Sequence, residues 1–387
     1  MQILNDKNIV HMDLDAFFVS VERIKEPKLK GIPLLIGGSS ERGVVASCSY
    51  EARKFGIHSA MPMKLAKRLC PHATVIGGDP ETYSNYSNWV TEIIAGAVPL
   101  YEKSSIDEFY LDLSGMERFH STDLLAKKIS DQIRKELGLV ISFGHSINKT
   151  VAKVATNQSK PNGHCRVEKG AERSFLAPLT VNKIPQLGDK TYRLLSSMGV
   201  IRVKTLQAMP PEPLEQLLGK NGRKLWQKAQ GIDHSPVIPY RESKSVSAEQ
   251  TFDRDTADSD LLRSTLVQMT EKLAFRLRKQ RKLTACISLK IRYSDFDTSS
   301  VQSHISYTAC DHLLIPKVKE LFDRLYRRRL LIRLLGVRFS HLVSGHDQIH
   351  LFEDTEEQIQ LYRVMDAIRL RYGTDKIKRA LSVTANK

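Results

Sequence analysis

Two short acidic motifs in this chain carry residue types suited to metal-dependent phosphoryl or nucleotidyl transfer. The first is Asp-x-Asp-x-Phe-Phe, which runs from Asp13 to Phe18, and the second is Ser-Ile-Asp-Glu at residues 105–108. Such transfer needs metal ions that lower the pKa of the attacking hydroxyl and neutralise the leaving group. Because Mg²⁺ prefers carboxylate oxygens and keeps several waters, two or three acidic side chains suffice. The motifs therefore indicate a magnesium-dependent transferase, provided that the fold unites them.

Only folding can bring the two motifs together, because Asp13 and Asp107 lie 94 residues apart. Each adjoins a short apolar segment, residues 8–14 and 106–113, that we interpret as a buried strand. Adjacent side chains of a strand point to opposite faces, so Asp107 and Glu108 can serve one site only at a strand end or a hairpin tip. Ordinary surface carboxylates are the alternative, and the apolar strands beside both motifs argue against it.

The elements around these motifs predict an α+β fold. Up to residue 165, apolar strands alternate with amphipathic helices, as in a small mixed sheet with helices packed on one face. Residues 166–233 are predicted to be short helices with two glycine-centred turns, and residues 234–243 a linker with two prolines. A separate α/β unit follows. Its apolar residues recur at helical spacing from Leu262 to Leu277, and residues 286–293 alternate as a half-buried strand with a basic outer face.

Length and charge limit the possible classes of protein. A chain of 387 residues is too long for one compact core, so we expect two to four domains. The net charge is +16, and +14 of it lies in residues 166–345. A localised excess of Lys and Arg favours a polyanion such as nucleic acid as the partner, with a generic basic surface as the alternative.

Membrane insertion, secretion and disulfide bonding are not indicated. The chain has no run of about 18 apolar residues, and its N-terminus lacks the charged start and apolar stretch of a secretory signal. Its five cysteines are scattered, odd in number and never spaced as Cys-x-x-Cys. We therefore expect reduced cysteines, with neither a structural zinc site nor a disulfide framework. The expected location is the cytoplasm, at the nucleoid.

Six segments occur in the order found in Y-family DNA polymerases, and the chain most resembles the DinB branch of that family. They are HMDLDAFFVSVE, SYEARKFGI, SIDEFYLD, SKPNG, IPQLG and LLGVRFSHL, and they span roughly residues 8–345. The resemblance implies a template-directed DNA polymerase for translesion synthesis, with low fidelity, no proofreading and two-metal-ion nucleotidyl transfer. It also implies a right-hand architecture with a ferredoxin-like palm, small fingers, a helical thumb with helix-hairpin-helix turns, and an α/β little finger.

The resemblance also divides the chain into domains. They are a palm (1–16 and 79–165), fingers (17–78), a thumb (166–233), a linker (234–243), a little finger (244–345) and a C-terminal tail (346–387).

The catalytic carboxylates implied by the resemblance are Asp13, Asp107 and Glu108. Together with the backbone carbonyl of Leu14, they would hold two Mg²⁺ ions, for which Mn²⁺ can substitute. Asp15 shares a strand face with Asp13, but the family position is generally not a ligand.

The resemblance further implies a nucleotide site. Phe18 would be the steric gate, whose ring leaves no room for a 2′-hydroxyl, and Phe17 would lie beside it. The triphosphate would be bound by Ser47, Tyr50, Arg53 and Lys160. Tyr50 and Arg53 are three apart on one predicted helical turn, so their hydroxyl and guanidinium can converge on one anion. The alternatives are two rings packed in the core and a solvated arginine and lysine.

Further DNA contacts are expected in the thumb and the little finger. The glycine turns in residues 184–222 resemble helix-hairpin-helix elements, whose free N–H groups bind phosphates without reading sequence. The first turn has Gln186 where the family pattern Ile-Pro-Gly-x-Gly has glycine. The alternatives are turns used only for helix packing and a solvated charged surface. The expected DNA-binding residues are Gly188, Lys190, Gly219, Gly222, Lys290 and Arg292.

The C-terminal tail contains a candidate docking peptide and a predicted helix. Gln348, Leu351 and Phe352 form Gln-x-x-Leu-Phe, which resembles the peptide by which bacterial polymerases dock in the apolar pocket of the sliding clamp. The predicted helix carries an apolar stripe from Leu361 to Tyr372 that either packs on the protein or serves a partner.

Two other classes of function compete with the polymerase. A catalytically idle adaptor of the same fold would have lost the metal carboxylates, whereas this chain keeps all three. A nucleotidyl cyclase with a palm-like core would need neither the helix-hairpin-helix turns nor the basic C-terminal unit. The leading hypothesis is a DNA-directed DNA polymerase that uses primer–template DNA and deoxynucleoside triphosphates, acts as a monomer and docks on a sliding clamp.

Overall fold

The structure is a computed structural model that describes residues 7–38, 40, 42–116, 121–240, 242–328, 330–345, 355–373, 376–377 and 379–380. The chain divides into two compact units, Met1–Arg241 and Glu242–Lys387. Among the described residues, no helix has both the length and the apolar composition needed to cross a membrane.

The first part of the first unit is built on two sheets. Five strands form a mixed sheet in the order β5-β6-β1-β7-β8, and β2, β3 and β4 form a smaller sheet. In chain order the elements are β1 (Ile9–Leu14), α1 (Phe17–Lys25), a 3-10 turn (Pro27–Leu29), β2 (Leu34–Gly37), β3 (Val45–Cys48), α2 (Tyr50–Arg53), α3 (Met63–Leu69), β4 (Thr74–Ile76), α4 (Pro80–Ala97), β5 (Tyr101–Lys103), β6 (Glu108–Asp112), α5 (Thr122–Leu137), β7 (Ile141–Ser146), α6 (Lys149–Ser159) and β8 (His164–Arg166).

The central strand β1 is covered on both faces. Its residues Val10, Met12 and Leu14 belong to a core that includes residues of α4 and α5. The alternate residue His11 faces α6, where its Nδ1 lies 2.9 Å from Thr156 Oγ1. The predicted mixed sheet is confirmed, but the expectation of helices on one face is wrong for α6. Because β1 is buried on both faces, its sequence is mostly apolar instead of alternating between apolar and polar residues.

The chain turns sharply between β1 and α1. Ala16 has φ 45° and ψ 49°, the left-handed region that side chains other than glycine rarely adopt. The Ser20 hydroxyl donates to the Asp15 carbonyl at 2.7 Å and helps to hold this corner. Asp13, Asp15 and Phe18 therefore surround a single tight turn.

The rest of the first unit is helical, as predicted for residues 166–233. Its elements are α7 (Glu172–Leu176), a 3-10 turn (Val181–Lys183), α8 (Asp189–Ser197), α9 (Val203–Ala208), α10 (Pro211–Leu218) and α11 (Lys220–Ala229). Part of the predicted linker packs on the first unit, because Val237 is buried and the Ile238 N–H donates to Glu102 at 2.8 Å.

The second unit is an antiparallel sheet in the order β11-β10-β12-β9 with helices against it. Its elements are β9 (Ser245–Thr256), α12 (Ser259–Lys279), β10 (Lys282–Tyr293), β11 (Thr298–Thr308), α13 (Asp311–Leu325), β12 (Ile332–Ser344) and α14 (Thr355–Tyr372). The predicted α/β unit, its long first helix and its alternating strand are confirmed. Ile287, Leu289 and Ile291 of β10 are buried, whereas Lys290 and Arg292 lie on the other face.

Helix α14 packs on the second unit through an aromatic ring and ion pairs. Tyr362 is buried, and Arg278 of α12 donates to Asp366 at 2.7 Å and to Asp311 at 2.8 Å. The predicted apolar stripe does not pack on the protein at its two ends, because Leu361 and Tyr372 are 54% and 57% exposed, and a role for these ends in binding a partner stays a prediction. The structure thus joins α12, α13 and α14 by one arginine that bridges two carboxylates.

We predict that Arg278→Ala lowers the free energy of unfolding of the second unit by about 3 kcal/mol, because the fully buried Asp311 loses its nearest cation. The matched control is Arg263→Ala on the same helix, whose ion pair with Asp323 is exposed and should contribute less than about 1 kcal/mol. Hydrogen exchange at β10 amides in the full chain measures both changes. Equal losses in the two variants would contradict the role assigned to Arg278.

Candidate active site

The structure places Asp13 and Glu108 opposite each other on neighbouring strands. The antiparallel register of β1 and β6 pairs them directly, and opposite residues of such a pair project from the same face. Asp107 immediately precedes β6, in the hairpin between β5 and β6, where strand alternation no longer applies. The condition that the acidic pair lie at a strand end or hairpin tip is therefore met.

The hairpin turn is held by its own serine and by β1. The Ser105 hydroxyl donates to Asp107 Oδ1 at 2.6 Å and accepts from the Glu108 N–H at 3.1 Å. The Asp107 carbonyl accepts from the Leu14 N–H at 3.0 Å. These bonds fix Asp107 beside the end of β1, so three carboxylates separated in sequence meet at one place.

Asp13 is an unusually placed carboxyl group. Burial raises its pKa to about 7, although Lys160 acts in the opposite direction, and the nearby Glu108 and Asp107 carboxylates raise the pKa further. The Lys160 ammonium group lies against Asp13 Oδ1. The positive charge of Lys160 therefore only partly offsets the effect of burial on the pKa of Asp13.

Glu108 has a different environment from Asp13. Burial acts to raise its pKa, but the neighbouring His11 and Lys153 side chains outweigh that effect and hold the pKa at about 2. Lys153 Nζ lies 2.6 Å from Glu108 Oε2. Burial lowers the pKa of His11 to about 4, so the imidazole is neutral near pH 7. With this lowered pKa, Glu108 stays ionised across the physiological range.

The donor set suits a hard divalent cation. All three side chains offer carboxylate oxygens, which Mg²⁺ and Mn²⁺ prefer. Mutual repulsion among the carboxylates is part of what raises the pKa of Asp13, and a dication would relieve it. Leu14 is the last residue of β1, between Asp13 and the corner at Ala16.

Asp15 is fully engaged by the protein. Its carboxylate accepts hydrogen bonds from the Tyr50 hydroxyl at 3.2 Å, the Ser142 hydroxyl at 2.8 Å and the Asn162 N–H at 2.7 Å. These partners come from α2, β7 and the loop after α6. Asp15 therefore ties three elements together at the corner after β1, and this geometry favours a positioning role over metal ligation.

The predicted triphosphate residues lie on different elements of the first unit. Tyr50 and Arg53 share the short helix α2, and the Arg53 guanidinium lies 4.6 Å from the centre of the Tyr50 ring. The Ser49 hydroxyl caps this helix by accepting from the Ala52 N–H at 3.2 Å. Ser47 is buried on β3, and Lys160 follows α6 and contacts Asp13. In the structure the Arg53 guanidinium lies over the Tyr50 ring, and the convergence of the two side chains on one anion stays a prediction.

The two phenylalanines of the first motif have different environments. Phe17 is buried, so its ring belongs to the core and offers no surface to a nucleotide. Phe18 is only partly buried, and its ring stacks on Tyr83 with centroids 4.3 Å apart and planes 11° apart. The Tyr83 hydroxyl donates to Glu22 at 2.8 Å. Phe18 therefore rests on a ring that is itself fixed in place.

Lys153 and Tyr83 were not among the residues predicted from the sequence. The spacing of Lys149, Lys153 and Lys160, four and seven residues apart, puts three lysines on one face along α6 and its end, and could have indicated a basic row. Lys149 pairs with Glu102 at 2.6 Å, and the other two pair with Glu108 and Asp13. No comparable signal identifies Tyr83, because it contacts Phe18 across 65 residues.

The first glycine-type turn of the helical region contains a left-handed residue that is not glycine. Gln186 adopts φ 71°, the left-handed conformation that the glycine of the family pattern would supply. Its Oε1 accepts from Lys228 Nζ of α11 at 2.7 Å. Gly188 and Lys190 are exposed at the start of α8.

The second turn requires a correction at Gly222. Gly219 is exposed and has φ 62° and ψ −149°, which suits glycine alone. Gly222 is buried, its N–H donates to the Gly219 carbonyl at 2.8 Å, and a Cβ there would lie 1.9 Å from the Leu214 carbonyl oxygen. Gly222 therefore permits the close approach of α10 and α11, and the predicted DNA contact does not extend to it.

In the second unit, the basic residues predicted to contact DNA have partners within the protein. Lys290 Nζ donates to Glu249 at 2.7 Å, and Arg292 Nε donates to the Thr298 hydroxyl at 2.9 Å. The predicted clamp-binding residues Gln348, Leu351 and Phe352 lie outside the described residues.

We predict that Asp15→Asn and Asp13→Asn have opposite effects on stability and on Mn²⁺ binding. Asp15→Asn should lower the free energy of unfolding by about 1–3 kcal/mol, because its amide group cannot accept all three hydrogen bonds, and should leave Mn²⁺ affinity within about twofold. Asp13→Asn should lower Mn²⁺ affinity at least about tenfold with little loss of stability, because it removes a buried charge. Electron paramagnetic resonance and urea unfolding measure the two quantities. Loss of Mn²⁺ binding in Asp15→Asn would make Asp15 a ligand.

Comparison with known proteins places this site in a family. The chain matches the impB/mucB/samB family over residues 12–157 and the C-terminal domain of the same family over residues 243–351. A DNA polymerase IV of Dehalococcoides mccartyi is 39% identical over 382 residues, 96% of each chain. A DNA polymerase IV 2 of Methanosarcina mazei is 35% identical over 351 residues, 89% of this chain and 95% of the relative.

A solved structure supports the same assignment. A Y-family DNA polymerase chimera superposes with a TM-score of 0.77 at 25% identity, covering 87% of this chain and 100% of the other. The predicted α+β polymerase fold is confirmed by this match. The chain therefore belongs to the Y family of DNA polymerases, in its DNA polymerase IV branch, and is a DNA-directed DNA polymerase.

Proposed function

We propose that the chain performs translesion synthesis with low fidelity and without proofreading, by two-metal-ion nucleotidyl transfer on primer–template DNA. The observation that carries this proposal is the meeting of Asp13, Asp107 and Glu108 at the ends of β1 and β6, in a chain whose relatives are named DNA polymerase IV. The incoming substrate would be a deoxynucleoside triphosphate.

The residues of this centre have separate tasks. Asp13, Asp107, Glu108 and the Leu14 carbonyl would hold two Mg²⁺ ions, replaceable by Mn²⁺, which lower the pKa of the primer 3′-hydroxyl and neutralise the pyrophosphate. Lys153 would keep Glu108 ionised and oriented through their ion pair. Lys160 would leave Asp13 and pair with the triphosphate as a point charge.

The nucleotide would be held between the corner after β1 and helix α2. Tyr50, oriented by Asp15, and Arg53, stacked on Tyr50, would bind the triphosphate together with Ser47. Phe18, supported by Tyr83, would exclude a 2′-hydroxyl by occupying its place. Selection of the sugar by a supported ring needs no hydrogen bond to the nucleotide.

Tolerance of damaged templates would come from a roomy cover over the new base pair. The segment at Gly43, Val44 and Ala46 has small side chains, and Val44 is 53% exposed. Small side chains leave space for a distorted template base, and this space supports the proposal of low fidelity.

Outside the active site, DNA would be bound through its phosphates. Gly188, Lys190 and Gly219 would serve in the helical region, and Lys290 and Arg292 in the second unit. The charge of +14 on residues 166–345 supports binding that depends on salt and little on sequence. A monomer that docks on the sliding clamp through Gln348, Leu351 and Phe352, at the nucleoid in the cytoplasm, completes the proposal.

We predict that Asp107→Ala abolishes primer extension, on undamaged and abasic templates alike, because the centre loses one of three carboxylates. The affinity for primer–template should change less than about threefold, since it rests on phosphate contacts elsewhere. Extension gels and fluorescence anisotropy with Mg²⁺ measure both properties. Wild-type enzyme without any extension would favour an adaptor, and parallel loss of extension and DNA binding in the variant would refute the assignment of Asp107.

We predict that Phe18→Ala admits ribonucleotides, with at least about a hundredfold loss of discrimination against a 2′-hydroxyl, because the ring that fills its place is gone. The matched control is Phe55→Ala, which removes a ring that is 43% exposed on the surface. Single-nucleotide insertion kinetics with deoxy- and ribonucleotides give the ratio. Unchanged sugar selectivity in Phe18→Ala would remove it from the gate role.

We predict that replacing Leu351 and Phe352 together by Ala removes stimulation of extension by the sliding clamp, because the apolar anchors of the docking peptide are lost. Distributive synthesis without the clamp should be unchanged. Replacing Leu361 and Leu370, which are exposed apolar residues of α14, is the matched control. Full stimulation in the first variant would show that this segment does not dock the enzyme.

A further inference from the structure

Three potential metal ligands meet on the second unit. They are distant in sequence from the carboxylates of the active site, and they offer sulfur and nitrogen instead of oxygen. Cys286 of β10, His304 of β11 and His341 of β12 each offer one ligand atom, and these atoms all lie within 4.8 Å of one another. Cys286 is buried, whereas both histidines are exposed. The cluster therefore opens to solvent on its histidine side.

The sheet register explains why these side chains converge. Cys286 lies directly opposite His304 in the pairing of β10 with β11 and opposite Ser340 in the pairing of β10 with β12. By strict alternation His341 would project from the other face than Ser340. His341 instead has φ 52°, a left-handed conformation that interrupts the alternation and lets its imidazole lie beside that of His304, with ring centroids 5.3 Å apart.

We infer that Cys286, His304 and His341 form a binding site for a divalent transition metal of borderline softness, with Zn²⁺ as the ion that it would take. A thiolate and two imidazoles are the ligands that Zn²⁺ prefers, and Mg²⁺ disfavours. Tetrahedral bond lengths of about 2.3 Å to sulfur and 2.0–2.1 Å to nitrogen put ligand atoms roughly 3.3–3.6 Å apart. The exposed histidines can cover the remaining distance by side-chain rotation.

Bound Zn²⁺ would have two consequences for the second unit. It would cross-link three of the four strands of the sheet, because each ligand comes from a different strand. It would also place a cation on the face of β10 that carries Lys290, since Cys286 and Lys290 are an even number of residues apart. Three protein ligands leave the fourth position of the metal to water or to an anionic oxygen.

The sequence pattern predicts no zinc site, because it offers no Cys-x-x-Cys pair. The structure supplies what spacing cannot show, since the three ligands are 18 and 37 residues apart along the chain and meet only through strand pairing. A register shift of β10 next to Cys286 and the left-handed His341 accompany this convergence.

Cobalt spectroscopy on the metal-free full chain tests this inference. One equivalent of Co²⁺ should produce a sulfur-to-cobalt charge-transfer band, and one equivalent of Zn²⁺ should remove it. Cys286→Ser should abolish the band, while His304→Ala and His341→Asn should weaken Co²⁺ affinity at least about tenfold. Asparagine is chosen at 341 because it tolerates a left-handed backbone. Zn²⁺ should also slow hydrogen exchange in β11 and β12 of the wild type but not of His304→Ala.

Two control variants distinguish metal binding at this site from metal binding elsewhere in the chain. Cys70→Ser removes a thiol that lies 3.5 Å from His72 Nε2, a Cys–His contact elsewhere in the chain, and should leave the band unchanged. Asp107→Ala, which disables the proposed catalytic site, should also leave it unchanged. A wild-type chain without the band, or a band that survives Cys286→Ser or is lost in Cys70→Ser, would overturn the inference.

Discussion

The pairing of β1 with β6 is the constraint on which the first unit depends. It places Asp13 and Glu108 opposite each other next to Asp107, and three neighbouring carboxylates at the ends of buried strands repel one another. The protein compensates this charge from α6 and its end, where Lys153 pairs with Glu108 and Lys160 with Asp13. Because burial leaves the pKa of Asp13 near 7, the compensation is incomplete, and a divalent cation would relieve the remaining repulsion.

The same corner connects the carboxylates to the nucleotide side of the site. Asp15 binds Tyr50 of α2, Ser142 of β7 and the backbone after α6, so it links the elements that carry the expected triphosphate contacts to the end of β1. Phe18 lies on the other side of this turn, and its ring stacks on Tyr83. A substitution at Asp15 would therefore act on geometry, whereas one at Asp13 acts on charge.

Features that depend on local sequence patterns were predictable, whereas features that depend on tertiary contacts were not. The strands of both acidic motifs and the helical region were predictable from apolar runs and glycine turns. The packing of α14 was not, because its contacts with the protein run through Arg278 and Asp366 and leave Leu361 in solvent. Gly222 and the Cys286 cluster likewise depend on close approaches between elements, which spacing along the chain does not encode.

The most direct test of the central claim is anomalous diffraction from Mn²⁺ in a complex with primer–template DNA and a non-hydrolysable deoxynucleoside triphosphate. We expect two Mn²⁺ peaks, each within about 2.5 Å of oxygens from Asp13, Asp107 or Glu108, with the Lys160 ammonium moved from Asp13 to the triphosphate. Peaks held only by the triphosphate, with the three carboxylates still paired to lysines or turned apart, would contradict it.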